Sequence, residues 1–127
     1  MHKVCYIEDD PDLRQDLAEL LEISGLTVRA YESAEEFLTS GSEEEAPKDY
    51  SLWVVDLTLP GLNGRELCSM LRQRGVETPI VVLSGEEKTE ELEQFVNLHR
   101  LIFISKPFKF DHFLARVLDI LPQGAET

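Results

Sequence analysis

Five times along this chain, a short run of aliphatic and β-branched residues gives way to a stretch whose apolar residues recur at helical spacing. The strand-like runs are Lys3-Val4-Cys5-Tyr6-Ile7, "LTVRAY" (26–31), "YSLWVV" (50–55), "PIVVLS" (79–84) and "LIFIS" (101–105). After the first, Asp10 stands where an N-cap would and Pro11 at the first helical position. Leu13, Leu17, Leu20 and Leu21 follow, with Gly25 as a stop. "SAEE" (33–36) matches a capping box and opens a short helix through Phe37 and Leu38. The spacing predicts further helices over 64–74 (Leu67, Met70, Leu71), which Gly75 ends, 88–99 (Leu92, Phe95, Val96) and 110–121 (Phe113, Leu114, Val117, Leu118), with Pro122 beyond. Alternation of this kind predicts an α/β fold: a doubly wound, five-stranded parallel sheet with helices on both faces. Burial on both faces explains why the runs are continuous rather than alternating.

The length, 127 residues, suits one domain able to bury roughly 65–70% of its unfolded-chain surface without a disulfide or metal staple. Cys5 and Cys68 fit no C-x-x-C pattern and read as reduced core residues. His2, His99 and His112 have no metal-ligand spacing. Acids outnumber bases 25 to 12, for a net charge of −13. Such a surface repels phosphate backbones and anionic membranes, so neither nucleic acid nor membrane is expected as a partner. No apolar stretch approaches the ~20 residues of a membrane helix. No leader is evident, and the chain reads as cytoplasmic.

In an open sheet of this type, ligands bind beyond the carboxyl ends of the strands. The residues there are Glu8, Asp9 and Asp10 after the first strand, Asp56 after the third, Ser84 and Gly85 after the fourth, and Lys106 and Pro107 after the fifth. Singly, each has a structural explanation. Asp10 is mainly a helix cap, Asp56 could cap a turn, and Lys106 could be a solvated loop residue. Together they place three acids, a hydroxyl and an amine on one rim. Like charges a few Å apart repel by about 4 kcal/mol per pair at an effective dielectric of 20, so Glu8, Asp9 and Asp56 need a counter-charge. Mg²⁺, a hard cation with oxygen ligands, supplies it, and Lys106 adds another positive charge. A Gly-rich phosphate-binding turn is absent after the first strand, which argues against a flavin or dinucleotide site.

With those residues in place, the sequence resembles the receiver domain of two-component response regulators. The matching stretches are "YIEDDPDLR" (6–14), "VVDLTLPGLNG" (54–64), "IVVLSG" (80–85) and "SKPF" (105–108), in order and over essentially the whole chain. The resemblance implies a flavodoxin-like sheet of strand order 2-1-3-4-5. It implies Asp56 as phosphoacceptor, and Mg²⁺ held by Glu8, Asp9, Asp56 and the backbone carbonyl of Thr58. Ser84 matches the hydroxyl that engages the phosphoryl group, Lys106 the family's lysine, Pro107 its cis-proline and Phe103 its aromatic switch. Thr58 and Glu86 would flank the path of the water that removes the phosphoryl group and tune its lifetime. The donor would be a phosphohistidine on a sensor histidine kinase or histidine phosphotransfer protein. The output would be a change in the face formed by the fourth helix, fifth strand and fifth helix, read by a target protein or output domain or by a phosphorylation-dependent homodimer. The chain would be no enzyme in the ordinary sense, though it assists its own phosphoryl transfer and dephosphorylation.

Two features depart from the family pattern. The loop carrying "EEE" (43–45) is longer than usual, and "VNLHRLIFISKPF" lacks the Gly-Ala turn usual before the fifth strand. Two other functions compete. A phosphatase of the haloacid-dehalogenase type would want an acid two positions after Asp56, where Thr58 stands. A receiver-like module that binds partners without phosphorylation would not need Glu8, Asp9, Asp56, Ser84 and Lys106 together. Residues 1–122 are expected to form the receiver domain. Residues 123–127 would be a tail, or the start of a connection to an output domain.

Overall fold

The computed structural model describes residues 2–41, 47–59, 61 and 63–121. The strands are β1 (Lys3–Ile7), β2 (Thr27–Tyr31), β3 (Leu52–Asp56), β4 (Ile80–Ser84) and β5 (Leu101–Ser105). The helices are α1 (Pro11–Ile23), α2 (Ala34–Glu36, running into a π-helical turn over Phe37–Gly41), α3 (Gly64–Gln73), α4 (Glu90–Leu98) and α5 (Phe110–Ile120). All strand pairs are parallel, in the order β2-β1-β3-β4-β5. That is the doubly wound sheet expected from the alternation. The "EEE" loop and the tail beyond 122 lie outside the described residues, as do Pro60 and Leu62.

Every residue of β3 and β4 is buried, whereas the edge strands β2 and β5 are partly open. Two cores result, because successive strand side chains point to opposite faces. Val4, Tyr6, Val54, Val81 and Leu83 pack with Leu17 and Leu21 of α1 and Phe113 and Val117 of α5. Cys5, Ile7, Trp53, Val55 and Val82 pack on the other face with Phe37, Leu67, Leu71, Leu92 and Val96, from α2, α3 and α4. Cys5 and Cys68 are buried free thiols, and burial pushes the Cys68 thiol up to about 12. Trp53 sits in an edge-to-face aromatic group with Phe37 and Tyr50, both 5.2 Å away between ring centroids. Its buried indole N–H has no acceptor among the described residues, so Trp53 is kept for its packing.

Local sequence explains the helix starts. The Asp10 carboxylate accepts from the N–H groups of Asp12 and Leu13 at 3.0 and 3.3 Å, and Pro11 follows at the first position. Ser33 caps α2 through the Glu36 N–H, but the Glu36 carboxylate accepts from the N–H of Glu32 at 2.8 Å. The reciprocal arm of the expected capping box is therefore displaced by one residue. A full capping box forms at α3 between Asn63 and Glu66.

The missing Gly-Ala turn before β5 has a structural substitute. Arg100 takes the left-handed position (φ 56°) that glycine usually fills at a helix end. The Arg72 guanidinium then ties the turn down. It donates to the carbonyls of His99 (2.7 Å), Val76 (2.8 Å), Thr78 (2.8 Å) and Arg100 (3.2 Å). One side chain thus satisfies the end of α4 and the α3–β4 loop together. Arg72→Ala is expected to lower stability by about 2–3 kcal/mol in a urea titration, because charged hydrogen bonds to four backbone carbonyls are lost. Arg72→Lys recovers little of it, since an ammonium cannot reproduce the fork.

Candidate functional site: an acidic pocket at the carboxyl edge of the sheet

Strand register brings the predicted residues to one rim. Ile7 pairs with Val55, Asp56 with Leu83, and Ser84 with Ser105. The ladder continues one step past the strand ends: Glu8 N–H donates to the Tyr31 carbonyl (3.0 Å), Leu57 N–H to Leu83 (3.0 Å) and Lys106 N–H to Ser84 (2.8 Å). Backbone hydrogen bonds thereby fix Glu8, Lys106 and the turn after Asp56. Gly64, the first residue of α3, packs directly on that turn. A Cβ there would collide with the Asp56 carbonyl oxygen and lie 2.7 Å from the Leu57 Cα.

Glu8 and Asp56 are 0% and 2% exposed, whereas Asp9 faces solvent. Ligand oxygens from Glu8, Asp9 and Asp56 lie within 4.8 Å of one another, a hard, all-oxygen donor set that suits a divalent cation of the Mg²⁺ type. Lys106 Nζ is 2.9 Å from Asp56 Oδ2 and 3.6 Å from Glu8 Oε1. Asp56 Oδ1 accepts from both the N–H and the hydroxyl of Thr58, each at 2.9 Å. Asp56 therefore caps its own turn, as a turn aspartate does, and faces the charged pocket as well.

The charges settle unequally. Burial, followed by hydrogen bonding and repulsion from Asp56, pushes the Glu8 carboxyl up to about 8. Burial also opposes the Asp56 charge, but hydrogen bonds from Glu8, Lys106 and the Thr58 N–H outweigh it and hold Asp56 below the usual carboxylate range. Burial works against the Lys106 ammonium too, and Asp56 then Glu8 overcome it, raising its pKa. The proton of this pair therefore favours Glu8 over Asp56, with Lys106 charged beside them.

The remaining predicted residues line the adjoining loops. Ser84 Oγ is buried, accepts from the Glu86 N–H at 3.0 Å and donates to Glu86 Oε2 at 3.4 Å. Phe103 is half-buried on the α2–α4 side of the sheet, with Lys88 Nζ 5.2 Å from its ring centroid. The Lys106–Pro107 peptide is cis. At Gly85 an added Cβ would meet only the Lys106 Cβ, at 4.0 Å, so no internal contact demands glycine there.

Several residues of the site went unread in the sequence. Tyr6 OH lies 3.5 Å from Glu8 Oε1, and the Arg14 guanidinium donates to the Glu8 carbonyl at 2.7 Å. Tyr6 was legible in principle, because residues two apart on a strand share a face. Arg65 pairs with Glu86 at 3.0 Å and stacks 5.7 Å from the Phe95 ring centroid. Its signal was its place next to Gly64 at the head of α3, a rim position by topology but not by any local motif.

The comparisons agree with this geometry. Residues 4–118 match the response regulator receiver domain family. The transcriptional regulatory protein FixJ of Azorhizobium caulinodans is 35% identical over 97% of this chain and 56% of its own length. The response regulator ArlR of Staphylococcus epidermidis is 30% identical over 95% of this chain and 53% of its own. The chain spans about half the length of these curated relatives. A receiver domain of a Francisella response regulator superposes with a TM-score of 0.82 at 25% identity, covering 94% of this chain and 96% of that one. An acidic pocket at the carboxyl edge of a 2-1-3-4-5 sheet and a family match over nearly the whole chain lead to one conclusion: this chain belongs to the response regulator receiver domain family, the phosphorylation-controlled switch of two-component systems.

Proposed function

We propose that Asp56 is the phosphoacceptor of this receiver, and that its donor is a phosphohistidine on a sensor histidine kinase or histidine phosphotransfer protein. The observation that carries the reading is the placement of Asp56: buried, with Lys106 Nζ 2.9 Å from Oδ2 and ligand oxygens of Glu8 and Asp9 within 4.8 Å. An Asp56 carboxylate oxygen attacks phosphorus, the bond from phosphorus to the imidazole nitrogen breaks, and the electron pair stays on that nitrogen. The transferring group spreads charge over its oxygens, so the work of the site is positioning and charge neutralisation. A Mg²⁺ held by Glu8, Asp9, Asp56 and the Thr58 carbonyl would supply most of that neutralisation. Lys106 holds Asp56 Oδ2 and turns a second positive charge toward the incoming group. Thr58 orients Oδ1 through its N–H and hydroxyl.

Once formed, the phosphoryl group offers acceptors to the Ser84 hydroxyl. Movement of Ser84 toward it vacates space for Phe103, and the α4-β5-α5 face changes with it. A target protein, an output domain or a second copy of the chain reads that face. In this reading residues 1–122 form the switch. Among the described residues no helix is long and apolar enough to cross a membrane, and the acidic surface fits action in the cytoplasm.

The test is incubation with a small acyl phosphate donor, with and without Mg²⁺, followed by intact mass. One added phosphoryl group that needs Mg²⁺ supports the reading. Steady turnover of phosphoesters would move the chain to the phosphatases, and no reaction would leave a receiver fold that signals without phosphorylation. Thr58 and Glu86 flank the water path in this reading, so Glu86→Ala is expected to change the decay rate of the adduct severalfold. An unchanged decay rate removes Glu86 from that role.

A further inference from the structure

Arg65 touches none of the acids in the pocket, yet it holds the carboxylate that holds Ser84. Arg65 Nη2 lies 3.0 Å from both Oε1 and Oε2 of Glu86, an ion pair between α3 and the loop after β4. The same guanidinium stacks over Phe95 in α4, 5.7 Å from the ring centroid. Ser84 Oγ donates to Glu86 Oε2 across a longer 3.4 Å. Ser84, Glu86, Arg65 and Phe95 thus form a continuous chain from the end of β4 to α4.

A serine hydroxyl has one proton to give, and here it goes to Glu86. For Ser84 to engage a phosphoryl group on Asp56, that bond must break. With Arg65 in place the Glu86 carboxylate loses its weakest partner and keeps the guanidinium. Without Arg65 the same carboxylate would hold Ser84 more firmly, and an unneutralised negative charge would stand beside the incoming phosphoryl group.

We propose that Arg65 is a positioning residue for phosphoryl uptake. It takes up the Glu86 carboxylate, neutralises it, and leaves the Ser84 hydroxyl able to turn to the phosphoryl group. The proposal deepens the reading of Asp56 as phosphoacceptor and rests on it.

The test compares initial rates of Mg²⁺-dependent phosphorylation by a small acyl phosphate in the unsubstituted chain, Arg65→Gln, Arg65→Lys, Glu86→Gln and the double variant Arg65→Gln/Glu86→Gln. Arg65→Gln is expected to slow uptake roughly two- to fivefold, the range a partly exposed ion pair supports. Arg65→Lys falls between. The double variant runs at the rate of Glu86→Gln alone, because Arg65 has nothing to neutralise once position 86 is uncharged. A role confined to packing on Phe95 would slow uptake equally in both backgrounds, and that outcome overturns the proposal, as does an unchanged rate in Arg65→Gln. Should Arg65→Gln fail to fold in a thermal melt, Arg65→Lys with and without Glu86→Gln carries the same comparison. Absence of any adduct on the unsubstituted chain would overturn the phosphoacceptor reading, and this proposal with it. Normal uptake insensitive to Arg65 overturns this proposal alone.

Discussion

Asp56→Asn takes up no phosphoryl group from a small acyl phosphate under conditions that convert the unsubstituted chain. An amide has the size of the carboxylate and accepts from the Thr58 N–H and hydroxyl in the same place, so the turn after β3 persists. What is lost is the anionic nucleophile and the partner of Lys106 at 2.9 Å. The effect is therefore all-or-none in intact mass, while a thermal melt still reports a folded protein. With position 56 uncharged, Glu8 can ionise beside Lys106, 3.6 Å away, and this offsets part of the lost ion pair and keeps the change in stability small. Phosphorylation of Asp56→Asn to the same extent as the unsubstituted chain would place the acceptor elsewhere.

Gly64→Ala is the substitution with the largest expected effect on the fold of the site. The added Cβ would run into the Asp56 carbonyl oxygen and stand 2.7 Å from the Leu57 Cα and 2.9 Å from the Asp56 carbonyl carbon. All three are backbone atoms, and the Leu57 N–H is tied to the Leu83 carbonyl at 3.0 Å, so the turn cannot simply step aside. Either α3 lifts off or the Asp56 turn shifts. Overpacking against backbone of this kind costs about 3 kcal/mol, more than alanine returns as the better helix former. Chemical denaturation measures the loss. Phosphoryl uptake falls with it, because the displaced backbone carries the nucleophile. Gly75→Ala is the control: its Cβ meets nothing within 4 Å, so only the strain of its positive φ (83°) is felt, with no change at Asp56.

The contrast between those glycines marks what a linear reading can and cannot reach. Both helix-ending glycines, Gly25 and Gly75, were legible because a positive φ at a helix end is a local property. β1 was read to the residue and β3 and β4 to within two, because burial on both faces leaves an unbroken apolar signature; the half-open edge strand β5 was read to the residue because its run is apolar up to Ser105. Asp10 and Pro11 announced α1 in the same way. The acidic rim was legible because topology, once the strands were placed, dictates which residues follow their carboxyl ends. Gly64 is different: its reason is a contact with the strand end eight residues earlier. Arg65–Glu86 and the Arg72 cap join residues 21 to 28 positions apart. No local pattern records which arginine folds back onto which carbonyl or carboxylate. The uneven charging of Glu8 and Asp56 was hidden for the same reason, since composition counts both as anions.

Those two carboxyls also provide the sharpest test of the central claim, that a divalent cation unites Glu8, Asp9 and Asp56 and prepares Asp56 for modification. In the free pocket Glu8 holds a proton up to a pKa of about 8, so it must give that proton up to serve as a ligand. Below that pH, binding releases a proton and is weakened; above it, Glu8 is already ionised and binding is tighter. Calorimetric titration with Mg²⁺ one pH unit below and one above that value is predicted to show one ion per chain, tighter binding at the higher pH, and proton release that fades there. No uptake of Mg²⁺ at either pH, or equal affinity with no proton released, would contradict the account.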